Sequence, residues 1–178
     1  MYGWIGDKID DLNPVLFVDS DFASCRLTRK STSGGAIVLG SHLLKHWAKT
    51  QPTIALSSGE AELAAVVKGS TELLGIRAIF DDFRLEEVDE LMVESDATAA
   101  LGIVKREGLG KVRHLAVADL WVQQRAKKRD ILYRKVKGQD NPSDLLTKHK
   151  APTALKYLLS RVDTAIWGGR ARLAPVRT

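Results

Sequence analysis

The sequence predicts an α/β domain with a five-stranded mixed sheet, in which three antiparallel strands are followed by two parallel strands and flanked by helices. Short apolar runs bounded by turn residues come first along the chain. A long helical pattern follows them, and strands then alternate with helical segments. Because crossover connections are right-handed, this order places the fourth strand beside the first and the fifth outside it.

The first three strands are predicted at residues 14–19, 34–40 and 43–48, each an apolar run between turn residues. The turn from Gly40 to His42 is so short that it must join antiparallel neighbours, so the second and third strands form a hairpin. The stretch TRKSTSG turns the first strand into the second. The opening of the chain is therefore a three-stranded meander.

A long helix is predicted from about residue 58 to residue 83, with Ser57 and Ser58 as N-cap residues. On the helical period, Glu62 shares a stripe with apolar or small residues: Val66, Gly69, Leu73, Ile76 and Phe80. Glu60 points to a different side and suits the positive end of the helix. A carboxylate at the entry of a buried stripe calls for a function, so Glu62 is the candidate.

The second half of the chain alternates between strands and helices. A fourth strand at residues 90–95 ends at Asp96, from which a helix opens directly. Asp96 is explicable as a simple N-cap, but it also lies at the carboxyl end of a strand, where open α/β sheets place their sites. A helix at 114–129, a fifth strand in DILYRKV and a helix starting near Asp144 complete the predicted pattern.

Length and composition fit one domain, since the chain has 178 residues of which 44% are hydrophobic. We expect an N-terminal extension at 1–13, the domain at 14–150, and a C-terminal helix end with a flexible basic tail at 151–178. The single Cys25 excludes a disulfide framework and a thiolate zinc cluster, and it suits a reducing compartment.

No apolar run is long enough for a membrane span, and the first residues carry acidic groups where a targeting peptide would be basic. We therefore expect an intracellular protein, cytoplasmic or nuclear, that works as a monomer without a membrane. The net charge of +5 favours an anionic partner, of which nucleic acid is the commonest.

Four acidic residues, Asp19, Glu62, Asp96 and Asp144, each fall near the end of a predicted strand or helix. Residues at such positions can meet at one edge of a sheet although they are far apart in sequence. Unpaired carboxylates repel each other and are costly to desolvate, so bound divalent cations explain the cluster better than stability does. Two metal ions in an acidic site suggest phosphodiester chemistry.

Six motifs occur in order along the chain: FVDSDFA, TRKSTSGG, KTQPTIALSSGEAELAA, ESDATAAL, VRHLAVADLWVQQ and QDNPSDLLTK. Over residues 15–149 they resemble the ribonuclease H domain of copia-type (Pseudoviridae) retrotransposon polyproteins. The resemblance implies a ribonuclease H-like fold and hydrolysis of the RNA strand of RNA/DNA hybrids, beside a reverse transcriptase. It also implies two Mg²⁺ ions, with Mn²⁺ as a substitute.

By that resemblance Asp19, Glu62, Asp96 and Asp144 are the catalytic metal ligands, and the products carry 5′-phosphate and 3′-hydroxyl ends. Asp19 would bridge both ions, Glu62 and Asp96 would complete the ion on the leaving-group side, and Asp144 would hold the ion that activates water. Related enzymes carry a mobile histidine in the loop before the last aspartate, whereas KGQDNPSD contains none. Gln139, Asp140, solvent, His114 and His149 are the alternatives for handling the proton.

Contacts to the hybrid are expected from polar residues near the predicted strand ends and the start of the long helix, where free backbone amides bind phosphate. This substrate-binding set comprises Arg29, Lys30, Ser31, Lys49, Gln51, Ser57 and Ser58. Basic runs at 105–113 and 125–129 either extend this surface or form an ordinary solvated face. Recognition of the ribose 2′-hydroxyl would distinguish RNA from DNA.

Three alternatives remain open. An integrase or transposase of the same fold also uses clustered carboxylates, although the fourth acid and LSSGEAEL favour the nuclease. A catalytically silent nucleic-acid-binding module would be expected to lack one or more of the acids. A purely structural domain would leave the carboxylates unexplained. Cleavage of a hybrid compared with duplex DNA separates these alternatives.

Overall fold

A computed structural model describes residues 13–84, 88, 90–108 and 120–166. Its sheet has five strands in the order β3-β2-β1-β4-β5: β1 (Pro14–Ser20), β2 (Thr32–Leu39), β3 (His42–Thr50), β4 (Met92–Ser95) and β5 (Leu132–Lys135). The first three strands pair antiparallel, whereas β4 runs parallel to both β1 and β5. The predicted strand order is therefore confirmed, including the placement of β4 beside β1.

Within the described residues, four α-helices flank the sheet: α1 (Ser58–Asp82), α2 (Thr98–Lys105), α3 (Trp121–Lys128) and α4 (Pro152–Ser160). Two short 3₁₀ turns, Gly138–Asp140 and Pro142–Leu146, connect β5 to α4. The first part of the helix predicted at 114–129 lies outside the described residues, and α3 begins at Trp121.

A helix does begin beside Asp144, with Asn141 as its N-cap and Asp144 in its first turn, but it is a short 3₁₀ helix and the next α-helix begins only at Pro152. Asn141 also connects this segment to β1. Its side-chain oxygen accepts a hydrogen bond from the Ser143 amide at 3.2 Å, while its amide group donates to the Val18 carbonyl at 3.0 Å. The start of the turn is thereby fixed to β1.

The main core lies between the sheet and helices α1, α2 and α3. Fully buried side chains from all of these elements meet there: Leu16, Val18, Ile37, Leu63, Val66, Leu73, Val93, Val104 and Val122. Helix α1 approaches β1 closely at Gly69, where an added Cβ would lie 2.6 Å from side-chain atoms of Leu16 and Val18. The close contact sets the distance between α1 and β1.

A second, smaller core lies on the opposite face of the sheet. It contains Phe17 of β1, Val38 of β2, Val136 and Val162, all buried. Leu158 of α4 is also buried, so the packed part of the chain continues through the residues that follow the second 3₁₀ turn. These contacts hold the segment that carries Asp144 against the sheet.

Candidate active site

Three of the four predicted acids meet at the carboxyl end of β1. One carboxylate oxygen from each of Asp19, Glu62 and Asp96 lies within 4.8 Å of the other two. Asp19 comes from β1, Glu62 from the second turn of α1 and Asp96 from the residue that follows β4. The parallel pairing of β1 with β4 brings the two strand ends side by side. We call these residues the acidic triad.

The start of α1 separates the roles of its two glutamates. Ser57 is the N-cap, and its hydroxyl accepts a hydrogen bond from the Glu60 amide at 3.3 Å. The Glu60 carboxylate in turn accepts from the Leu56 amide at 2.9 Å. Glu60 therefore stabilises the helix start, as expected for its position. The Glu62 carboxylate faces those of Asp19 and Asp96, and its Oε2 atom is buried with no hydrogen-bond partner among the described residues.

Asp96 does not cap α2. The N-cap residue is Ala97, and no side chain caps this helix. The Asp96 carboxylate packs against the first 3₁₀ turn, where a Cβ added to Gly138 would lie 2.9 Å from Asp96 Oδ2. Asp96 is therefore not an N-cap residue in this structure, and its carboxylate belongs to the acidic triad.

Asp144 is buried beside the triad, but its carboxylate is paired with two lysines. Lys148 Nζ lies 2.9 Å from Asp144 Oδ1, and Lys150 bonds to the other oxygen. Lys148 also lies 2.8 Å from Asp19 Oδ1, so one ammonium group bridges Asp144 and Asp19. The Thr147 hydroxyl donates to the remaining oxygen of Asp19. The segment 144–150 thus supplies positive charge to the site.

The close fit of this segment depends on Gly34, which pairs with Asp19 across the sheet. An added Cβ at Gly34 would lie 2.8 Å from Thr147 Cγ2 and 3.1 Å from the Ser143 carbonyl oxygen. A larger residue would push the turn away from β1. Gly34 therefore sets how closely Thr147 approaches Asp19.

The electrostatics of the site follow from burial and mutual repulsion. Burial raises the pKa of Glu62 to about 8, and the negative charges of Asp19 and Asp96 act in the same direction. Burial also raises the pKa of Asp19, although hydrogen bonds from Lys148 and Thr147 oppose it. Without a cation, Glu62 and Asp19 therefore hold protons more tightly than ordinary carboxylates do.

Asp144 and Lys148 behave as an ion pair. Burial alone would raise the pKa of Asp144, but hydrogen bonds from Lys150 and Lys148 outweigh burial and lower it. Burial likewise works against the charge of Lys148, but its bonds to Asp19 and Asp144 prevail and raise the Lys148 pKa. Both groups are therefore charged at neutral pH.

Comparison with solved structures decides the fold. A ribonuclease H1 called LC11, crystallised in complex with an RNA/DNA hybrid, superimposes with a TM-score of 0.52 over 75% of this chain and 93% of its own, at 14% identity. The chain has a ribonuclease H-like fold. The prototype foamy virus protease-reverse transcriptase matches with a TM-score of 0.50 at 13% identity, over 90% of this chain and 22% of that chain.

Sequence comparison identifies the relatives. The chain is 25% identical over 139 residues to the retrovirus-related Pol polyprotein from transposon TNT 1-94 of Nicotiana tabacum, a match covering 76% of the chain. The match spans only 10% of that polyprotein's length. No family model matches the chain. The resemblance to the ribonuclease H domain of copia-type retrotransposon polyproteins is confirmed.

The ribonuclease H-like fold places the acidic triad where a divalent cation fits. Three carboxylates converge, a buried Glu62 oxygen lacks a partner among the described residues, and the Lys148 ammonium already lies between Asp19 and Asp144. Hard oxygen ligands of this kind suit Mg²⁺ and Mn²⁺. The donor set therefore agrees with a divalent metal, without identifying the ion.

The predicted substrate-binding residues divide into two groups. Arg29, Lys49, Ser57 and Ser58 are exposed, and Lys30 is half-buried. Ser31 is fully buried and accepts a hydrogen bond from the Ala23 amide at 3.0 Å. Gln51 is also buried and donates to internal acceptors. The prediction that Ser31 and Gln51 offer their side chains to a substrate does not agree with this burial.

Sequence reasoning missed the roles of Thr147, Lys148 and Lys150. The first two belong to the motif QDNPSDLLTK, in which only Asp144 was assigned a catalytic role. A lysine four residues after a buried acid was an available signal, because residues so spaced lie together on one side of a helical segment. Arg106 and the exposed Lys105, Arg125, Lys127, Lys128 and Arg129 remain candidates for a wider basic surface, whereas Lys111, Arg113 and His114 lie outside the described residues.

Proposed function

We propose that this domain is a divalent-metal-dependent endonuclease that hydrolyses the RNA strand of RNA/DNA hybrids and leaves 5′-phosphate and 3′-hydroxyl ends. The observation that carries the proposal is the acidic triad at the carboxyl end of β1 in a ribonuclease H-like fold. The structural relative in complex with an RNA/DNA hybrid supports the choice of substrate. Mg²⁺ is the proposed ion, with Mn²⁺ as a substitute.

The proposed ligands are Asp19, Glu62, Asp96 and Asp144. Two bound cations would lower the pKa of a water for attack on phosphorus and stabilise the charge on the leaving 3′-oxygen. Asp19 would bridge both ions, because its carboxylate belongs to the triad and is also linked to Asp144 through Lys148. Glu62 and Asp96 would hold the ion on the leaving-group side, while Asp144 would hold the ion that activates water.

The lysines set a condition on this arrangement. Lys148 bridges Asp19 and Asp144, and Lys150 binds the other Asp144 oxygen. A metal ion at Asp144 would compete with these ammonium groups for the same two carboxylate oxygens. Because the side chain of Lys148 is 40% exposed, it has room to turn toward solvent.

The substrate is held through its backbone in this proposal. Ser57 and Ser58 lie at the N-terminus of α1, where free amides and the helix dipole favour phosphate. Arg29, Lys30 and Lys49 add positive charge on neighbouring segments. Contacts of this kind position the duplex without reading its sequence, and discrimination of RNA from DNA comes from the 2′-hydroxyl.

The domain is proposed to work beside a reverse transcriptase within a larger polyprotein. This is supported by the match to a tenth of a Pol polyprotein and by the match to a protease-reverse transcriptase. In the described part of the chain, none of the helices combines the length and apolar character needed to cross a membrane.

The decisive experiment compares cleavage of a labelled RNA strand in a hybrid with cleavage of single-stranded RNA, duplex RNA and duplex DNA. Each substrate is tested with Mg²⁺, with Mn²⁺ and with EDTA. We expect cleavage of the hybrid alone, abolished by EDTA. Equal activity on duplex DNA would instead favour an integrase-like enzyme, and activity on none of the substrates would favour a binding module.

A pair of variants locates the chemistry. Asp96→Asn is expected to abolish cleavage but to leave the fold intact or slightly more stable in EDTA, because it removes like-charge repulsion. Glu60→Gln is the matched control, since a glutamine still accepts at this capping position and the triad is untouched. Near-full activity of Asp96→Asn would show that the site has been misplaced.

A further inference from the structure

Gln51 follows β3 and is 4% exposed. Its side-chain amide nitrogen lies 2.8 Å from the Ala61 carbonyl oxygen, 2.9 Å from Ser33 Oγ and 3.3 Å from Ser20 Oγ. The amide group has two hydrogens, so the short contacts to Ala61 and Ser33 each use one, and the longer contact to Ser20 shares one of these hydrogens. All the donor capacity of this group is therefore used inside the protein.

Two of these three acceptors are immediate neighbours of triad residues. Ser20 follows Asp19 on β1, and Ala61 precedes Glu62 on α1. Ser33 lies opposite Ser20 in the sheet, so it extends the same contact to β2. The Gln51 side chain thus connects the end of β1 to the first turns of α1, next to Asp19 and Glu62.

Repulsion among the carboxylates of the triad tends to separate β1 from α1. A contact that holds these two elements together therefore stabilises the site. The Asp19 and Glu62 carboxylates lie within 4.8 Å of each other and repel when both are ionised, and a buried Glu62 oxygen has no hydrogen-bond partner among the described residues. Backbone helix bonds fix α1 internally but do not set its distance from β1. The Gly69 contact sets that distance about two turns further along the helix, beyond the acids.

We propose that Gln51 is a positioning residue that holds Asp19 and Glu62 at the separation a divalent cation requires. The inference rests on the proposed function, in that it assumes the triad binds metal. Gln51 does not contact substrate in this role. It acts through Ser20 and Ala61. Its loss therefore weakens metal binding by more than a comparable loss of stability elsewhere would.

The test measures Mn²⁺ affinity of the full chain by calorimetry and by electron paramagnetic resonance, with the cleavage rate as a second readout. Gln51→Met removes the donors but keeps an unbranched side chain of similar length. Tyr133→Phe is the matched control, because it breaks another buried hydrogen bond to α1, from Tyr133 to Ser70 at 3.1 Å, about two turns beyond Glu62. Urea unfolding measures the stability that each variant loses.

We expect Gln51→Met to bind Mn²⁺ at least about tenfold more weakly than the wild type, as is usual when support for metal ligands is removed. Its kcat should fall while KM for the hybrid changes little, because the substrate contacts are untouched. Tyr133→Phe should lose comparable stability but keep Mn²⁺ affinity within about twofold. Gln51→Asn, whose shorter side chain cannot span the same acceptors, should shift affinity in the same direction by a smaller factor.

Several results would overturn the inference. If Gln51→Met binds Mn²⁺ as the wild type does, or weakens no more than Tyr133→Phe, Gln51 is a structural residue only. If neither Gln51 variant folds, its contribution is to folding and the positioning role is likewise rejected. A wild-type chain that binds no Mn²⁺ and cleaves no hybrid would reject the proposed function together with the inference, whereas an active wild type with an unaffected Gln51→Met rejects the inference alone.

Discussion

Stability in the absence of metal should depend on the protonation of Glu62. Burial, reinforced by Asp19 and Asp96, raises its pKa from 4.5 to about 8 in the folded state, while the unfolded chain keeps the ordinary value. The folded state therefore binds this proton more tightly than the unfolded state does. It follows that the contribution is fully present below the unfolded pKa and is lost as the pH rises through the folded pKa.

The size of the effect can be bounded. A rise from 4.5 to about 8 corresponds, at about 1.4 kcal/mol for each pKa unit, to at most about 5 kcal/mol. Local relaxation around a carboxylate that is not fully buried reduces this, so we expect a loss of about 2–3 kcal/mol between about pH 5 and about pH 9. Asp19, whose pKa burial also raises, adds to the loss in the same direction.

The assay is urea unfolding in EDTA across this pH range, for the wild type, Glu62→Gln and Glu72→Gln. The stability of Glu62→Gln should depend less steeply on pH than that of the wild type, because only the Glu62 contribution is removed and that of Asp19 remains, and the variant should be more stable than the wild type at the alkaline end. Glu72 is the control, because hydrogen bonds from Lys45 and Lys68 lower its pKa. Its contribution is lost only as the pH falls through that lowered value, so Glu72→Gln should keep the wild-type slope.

Mg²⁺ should restore the stability of the wild type at the alkaline end of the range, where it replaces the proton, and should do little for Glu62→Gln. A wild-type free energy of unfolding in EDTA that stays flat from about pH 5 to about pH 9 would refute the reasoning. So would a Glu62→Gln variant with the same slope as the wild type.

The remaining predictions concern local geometry. Gly138→Ala should reduce hybrid cleavage about tenfold, because the new Cβ would lie 2.9 Å from Asp96 Oδ2 and must displace that carboxylate; unchanged activity would show that Asp96 tolerates the shift. Gly75→Ala is its control on α1, where nothing lies within 4 Å of the added Cβ, and it should raise stability by about 0.5–1 kcal/mol without changing activity. Ser57→Ala should lower stability by about 1 kcal/mol in thermal unfolding, since it removes the acceptor for the Glu60 amide; a smaller loss would mean that the Glu60 carboxylate alone caps the helix.

Sequence patterns predicted the strand order and the choice of Glu62 over Glu60 because both depend on local periodicity. Apolar runs locate strands, right-handed crossovers order them, and helical phase assigns each glutamate to a side of α1. Each of these rules concerns residues within one element or between successive elements. The meeting of Asp19, Glu62 and Asp96 follows from them directly.

The contacts of Lys148 and Gln51 could not be predicted in the same way, because each depends on how distant segments pack. Lys148 reaches Asp19 across 129 positions of sequence, and only the 3₁₀ turn at Pro142–Leu146 brings it there. Gln51 was expected to contact a substrate together with Lys49, but its side chain is buried whereas that of Lys49 is exposed. The Gln51 side chain points inward, toward the end of β1 and the start of α1, and no local sequence pattern predicts this arrangement.

The link between Asp19 and the segment 144–150 also bears on the order in which the protein is completed during synthesis. Asp19, Glu62 and Asp96 leave the ribosome before Thr147 and Lys148, which bond to Asp19 from 128 and 129 positions further along the chain. Contacts of such high sequence separation carry a large loop-closure cost and slow folding. A nascent chain therefore presents its carboxylates to the cations of the surrounding solution before its own ammonium group arrives, and the concentration of free Mg²⁺ during translation should influence how fast the domain reaches its native state.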